Sequence, residues 1–176
     1  FPTRRSSDLK GLTTDSIKAL NSDQMSALTA GQVAALNSDQ IQAIETEDLV
    51  KMSTAQLGAL TATQVQALTS EQLNALGSDQ IGGLKASQIA ALTTDQVSKL
   101  STDNVKALSA TQVKALTTAQ LNSLSSDQIA ALDTEDVSAL TASQVKGLST
   151  DSVKALGSDQ VSALTAGQVA ALNSDQ

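Results

Sequence analysis

Residues 21–40 read NSDQMSALTAGQVAALNSDQ, and the same alternation of four polar and four mostly apolar positions runs without insertion or deletion from Leu9 to Gln176, 21 octads in all. Each octad is numbered here from its aliphatic first position, Leu9, Ile17, Met25, Val33 and onward to Val169. Every one of these is Val, Ile, Leu or Met. The third position is Ala in 15 octads and Gly in three, and the fourth is Leu except at Ile44 and Met52. The fifth is Thr, Ser, Asn or Asp in 17, and the eighth is Gln in 16, the exceptions being Ser16, Asp48, Asn104, Asp136 and Ser152.

A Thr, Ser or Asn followed three residues later by Gln is a capping box. The first side chain accepts from the backbone N–H of the third helical residue, and the Gln reaches back to the N–H of the cap. A Leu before the cap and an aliphatic residue four after it, as in Leu28-Thr29-Ala30-Gly31-Gln32-Val33, have the spacing of a hydrophobic staple. Acidic residues at the seventh position (Asp23, Glu71, Asp79, Asp159) fall in the first helical turn, where the helix dipole favours them. Each octad is therefore predicted to start a helix at its fifth position and to carry it into the first to third residues of the next.

Such a helix spans only roughly 10 Å, too short to persist alone in water. Burying one Val and one Leu contributes about 3–6 kcal/mol, against an ordering cost on the order of 12 kcal/mol for eight residues. Neighbouring octads must supply the difference. One long helix is excluded because eight residues advance about 800°, so the apolar stripe drifts about 80° per octad and forms no seam. On a strand, the 3-then-5 spacing of the aliphatics would switch faces. The fold expected is all-α, a solenoid of short capped helices over 9–176 as one unit, with a β-solenoid as the alternative because Val, Ile and Thr are abundant. The seventh positions run acidic, acidic, neutral, acidic, acidic, neutral, neutral over seven octads, and the next seven repeat the run. This reads either as three and a half octads per superhelical turn or as the trace of gene duplication, which the near-identity of residues 13–40 and 149–176 also shows.

Composition excludes several chemistries. The chain has no Cys, His, Trp or Tyr, which removes disulfides, thiol nucleophiles, imidazole bases and the usual zinc ligands. With 11 Lys and Arg against 18 Asp and Glu, the net charge of −7 argues against a nucleic-acid partner. No apolar run is long enough for membrane insertion. One Asp per octad, absent at Gly31, Ala55, Thr63 and Ser87, falls short of the converging oxygens that calcium requires. A repeated surface likewise gives no pair of carboxylates in unlike environments. The Lys residues (Lys18, Lys106, Lys114, Lys146, Lys154) read as solvated helix surface, and Lys51 and Lys99 as stems lying over the core. No catalytic, cofactor or metal residue is expected, and the chain is not expected to be an enzyme. Open solenoid ends predict end-to-end self-association.

The unit V-x-A-L-T-x-x-Q, over Leu9 to Gln176, resembles the octapeptide repeats of long, low-complexity bacterial surface or secreted proteins. The resemblance implies a spacer or stalk at an extracellular or cell-surface location. A binding module using one repetitive face, for peptide, glycan, ice or calcium, is the alternative. Leu68-Thr69-Ser70-Glu71-Gln72 is similar to the LTxxQ motif of periplasmic stress proteins, which carry it on long helices. FPTRRSSDL, which holds the sole Phe, the sole Pro and both Arg residues, resembles one reading frame of a sequencing-library adapter. Residues 1–8 are accordingly expected to be an artefactual leader and the array a piece of a longer one.

Overall fold

The structure, a computed structural model, describes residues 9–176; the adapter-like leader lies outside the described residues. They form 20 complete helices from Thr14–Lys18 to Ala166–Ala171, each four to six residues long, and no strand occurs among them. The architecture is an all-α solenoid, as the octad pattern predicts, and the β-solenoid alternative is overturned.

The local rules act as expected at most octads. At Thr61, the side chain accepts from Gln64 N–H at 3.3 Å while Gln64 Oε1 accepts from Thr61 N–H at 2.8 Å. Asn21 and Gln24 repeat the pair at 2.9 and 3.1 Å. Glu45 caps its helix without a side-chain bond. Helices end between the first and third position of the following octad. The fourth residue then turns extended, as at Leu68 (φ −60°, ψ 136°), its N–H bonding three residues back to Val65. No described residue has positive φ, so the chain turns every eight residues without a left-handed glycine.

The described residues divide into two compact units between Leu92 and Thr93. Each has its own core of first- and fourth-position side chains, with Leu57 and Leu73 in one and Val113 and Val137 in the other inaccessible to solvent. Within each unit a helix packs on the one three octads before it, as Ala62–Ala67 does on Ser38–Gln42 and Thr134–Ala139 on Ala110–Ala115.

The eighth-position glutamine reaches one octad further back. Besides accepting from its own N-cap, its amide Nε2 donates to the fourth-position carbonyl 28 residues earlier. Gln40 bonds Leu12, Gln56 bonds Leu28, Gln64 bonds Leu36, Gln72 bonds Ile44, Gln80 bonds Met52 and Gln88 bonds Leu60, at 2.7–2.9 Å. In the second unit Gln128, Gln144, Gln160, Gln168 and Gln176 do the same at 2.6–2.7 Å. Most of them also engage the first-position carbonyl 31 residues earlier, as Gln64 does with Val33 at 2.9 Å. Each helix thus sits over the junction of the helices three and four octads before it. Within each unit the turns are stitched at a spacing of 28 residues, three and a half octads, the spacing that one of the two readings of the seventh-position run gives.

Candidate functional site

In the first unit the four octads with an uncharged seventh position (Gly31, Ala55, Thr63, Ser87) are mutual neighbours. Helix Ala30–Val33 packs on Thr54–Leu57, and Ala62–Ala67 packs on Ala86–Ala91. Gln64 joins the first pair to the second through the Val33 and Leu36 carbonyls, and Gln88 joins them again through those of Leu57 and Leu60. Gln66 Nε2 adds a bond to Ala91 O at 3.0 Å. Counted from cap to cap (29–36, 53–60, 61–68 and 85–92), these four helical units close into one patch whose only charged side chain is Lys85, while every acidic residue of 9–92 lies outside them.

The second unit repeats the arrangement around Thr111, Ala119, Ser143 and Gly167. Gln144 binds the Leu116 carbonyl at 2.7 Å, Asn122 Nδ2 binds the Gly147 carbonyl at 2.9 Å, and Ala142–Gly147 packs on Ala166–Ala171. That patch carries Lys114 and Lys146 and no acid, although residues 93–176 contain nine Asp and Glu. Each unit is therefore two-sided, one face uncharged or weakly basic and the other acidic.

Shallow grooves occupy the acidic side. One, of about 370 Å³, is lined by Glu45, Glu47, Thr69 and Glu71. Its counterpart 88 residues on, of about 440 Å³, is lined by Asp133, Thr134, Ser158 and Asp159. Among the described residues no three acidic side chains converge as metal ligands. Asp23, Glu71, Asp79 and Asp159 are exposed in the first turns of their helices. Lys18, Lys106, Lys114, Lys146 and Lys154 are exposed near the helix ends, and Lys99 pairs with Asp95 at 2.9 Å.

The exceptions at the eighth position show what the glutamine supplies. Asp48, 5% exposed, accepts from Ser22 Oγ at 2.7 Å, a donor from the preceding turn. At Ser152 the hydroxyl is too short to reach back, and Asn122 reaches forward, its Oδ1 accepting from Ser149 N–H at 2.8 Å and from Ser152 Oγ at 3.1 Å. Asp136, 1% exposed, accepts from Asp133 N–H at 3.3 Å. Burial, with the nearby carboxylates of Asp133 and Glu135 adding to it, raises its pKa from 3.8 to about 6 against the lowering effect of that hydrogen bond.

Reading the sequence for caps alone accounts for the glutamine oxygen and misses the nitrogen. The signal is present all the same. A capping box accepts Glu as readily as Gln, yet no octad has Glu at its eighth position. Only an amide accepts at one end and donates at the other.

No helix of the described residues is long and apolar enough to cross a membrane. No curated protein matches the chain. The ALTTAQ repeat, in contrast, matches at residues 5–38, 41–78, 70–102, 97–134 and 129–166. The phrase in its name is the fourth-to-eighth stretch of the octad preceded by its third residue, as in Ala115-Leu116-Thr117-Thr118-Ala119-Gln120. With most of its length so matched, the chain belongs to the ALTTAQ repeat family.

Proposed function

We propose that the chain is a structural repeat module, a spacer or stalk of an exported or surface-borne bacterial protein, without catalysis of its own. The observation that carries this reading is the 28-residue register. Among the described residues the principal helix contacts join octads three apart and the glutamine bonds reach back four, so length can be added without altering these contacts. Residues 1–8 are read, on their sequence alone, as adapter-derived. The test is an array-length series. Stability against urea should rise with each added octad and then level off, and added glycans, peptides or calcium should leave the melting temperature unchanged. A ligand-dependent rise in melting temperature would argue against a passive spacer.

The segregation of acids to one side favours a second reading, a binding module that uses the uncharged face for an uncharged polymer or an ordered water lattice. Glu substitutions at Ala55 and Thr63 separate the two. They would abolish binding to that face while leaving a spacer intact.

A further inference from the structure

We infer that Asp136 is a proton-operated clasp between turns of the second unit: protonated, its carboxyl donates to the carbonyls at the end of helix Thr102–Lys106, and ionised, it releases them. The register places it there. Asp136 holds the eighth position, from which Gln56 bonds the Met25, Ser26 and Leu28 carbonyls at 3.1, 3.2 and 2.7 Å. The same offsets from Asp136 fall on Val105, Lys106 and Leu108, and no side chain of the described residues donates to any of these three carbonyls. One carboxyl oxygen takes the place of the glutamine oxygen, accepting from Asp133 N–H at 3.3 Å. The other stands in for an amide nitrogen, and a carboxyl oxygen donates only while it carries a proton. The side chain is 1% exposed, so bulk water is no substitute for a partner in the fold.

The other aspartate at an eighth position shows what serves an ionised carboxyl. Asp48 lies 88 residues earlier and is buried too, but Ser22 Oγ donates to it at 2.7 Å. In the place of Ser22, 26 residues before Asp136, stands Ala110, which has no side-chain donor. The surrounding charges do not replace it. Burial favours the proton on Asp136, the carboxylates of Asp133 and Glu135 add to the effect, and the pKa rises from 3.8 to about 6. Of the helices packed against Thr134–Ala139, Ala110–Ala115 carries Lys114 and Ser158–Ser162 carries Asp159, both exposed. Thr102–Lys106 carries Asp103 and Lys106, exposed likewise. The clasp is therefore closed below about pH 6 and open above it. Opening stays local, because Gln128 and Gln144 on either side bond the Leu100 and Leu116 carbonyls at 2.7 Å through amides that do not titrate. The inference rests on the glutamine register and does not depend on the spacer role.

Carbon-13 NMR of the full chain, titrated from about pH 4 to about pH 8, tests it. The Asp136 carboxyl resonance follows the ionisation, and the backbone carbonyl resonances of Val105, Lys106 and Leu108 report the bond. At least one of these carbonyls is expected to shift with the same midpoint as the carboxyl. Amide-exchange protection at Val137 and Leu140, corrected for the intrinsic rate, should fall by roughly fivefold above that midpoint, the equivalent of one hydrogen bond. Asp136→Asn, an amide donor at every pH, should hold both readouts near their low-pH values throughout. Ala110→Ser supplies the donor that Asp48 has and should lower the carboxyl midpoint by about one pH unit. A wild-type carboxyl that titrates while all three carbonyls stay still overturns the inference, since the proton would then only neutralise a buried charge. An unmoved midpoint in Ala110→Ser, or protection lost at low pH in Asp136→Asn, overturns it as well.

Discussion

Gln64 Nε2 lies 2.7 Å from the carbonyl oxygen of Leu36, a residue 28 positions earlier. The same amide accepts from Thr61 N–H through its oxygen at 2.8 Å. One side chain thus starts a helix and fastens it to the previous turn. A hydrogen bond of this kind contributes about 1 kcal/mol net, and a buried partner left without one costs about 1–3 kcal/mol. Repeated at interior octads, the second bond turns marginal single-turn helices into an array.

Asp136 makes the second unit sensitive to pH. Its folded pKa, raised to about 6 from 3.8, lies above the unfolded value, so the folded state holds a proton that the unfolded state has lost between the two. Its contribution to stability is full below the unfolded pKa and is lost as pH rises through about 6. The melting temperature should therefore gain from this group on going from pH 7 toward pH 4. Asp136→Asn, which keeps an oxygen for Asp133 N–H, should raise stability at pH 7 and flatten the profile; parallel profiles for the two proteins would contradict the assignment.

Core positions should differ according to whether a later turn covers them. Leu57 has no exposed surface, and Leu57→Ala is expected to cost about 3 kcal/mol in urea unfolding. Val169→Ala, at a site 52% exposed, should cost less than about 0.5 kcal/mol. Comparable losses would mean that the last turn is as well packed as the interior.

Gly147 marks a close approach between turns. A Cβ placed there would stand 2.6 Å from Thr118 Cγ2, 29 residues earlier. Alanine favours a helix over glycine by about 1 kcal/mol, yet Gly147→Ala is expected to lower stability by about 1–2 kcal/mol because the branched threonine is stiff. Thr118→Ala in the same chain should restore it. A stabilised Gly147→Ala protein would show that these helices are free to move apart.

Asn122 stands in for a missing glutamine. Asn122→Ala removes the acceptor of Ser149 N–H and Ser152 Oγ and is expected to cost about 1–2 kcal/mol. Adding Ser152→Gln should recover most of the loss, since a glutamine at 152 falls 28 residues after Leu124. Failure of the recovery, read in denaturant midpoints, would show that the register is not general.

Much of the fold is legible in the octad. The Thr29 and Gln32 pair, the aliphatic Val33 and the Leu36 that follows it are local signals acting within eight residues, and they give helix starts and the core face directly. The number of octads per turn is not local. It depends on how Gln64 meets Leu36 across 28 residues, and only two traces of it survive in the sequence, the absence of Glu at the eighth position and the sevenfold alternation of acids at the seventh. The second trace is ambiguous when read alone, because duplication leaves the same mark. Compensations such as Ser22 with Asp48 and Asn122 with Ser152 were beyond reading, since each pairs unremarkable polar residues whose proximity appears only once the turn is closed. The two-sided surface follows from the same register and is invisible before it.

The most direct test of the account compares one substitution at two octads. Gln→Glu keeps the oxygen that caps the helix and deletes the donor to the previous turn. Gln64→Glu sets a buried carboxylate against the Val33 and Leu36 carbonyls, with an expected loss of about 3 kcal/mol in urea unfolding. Gln24→Glu, where no carbonyl of the described residues is bonded to the nitrogen, should change stability by less than about 0.5 kcal/mol. A large loss at 64 with none at 24 is the predicted result. Equal effects at the two positions would show that the glutamine serves only as a cap and that something else holds the turns together.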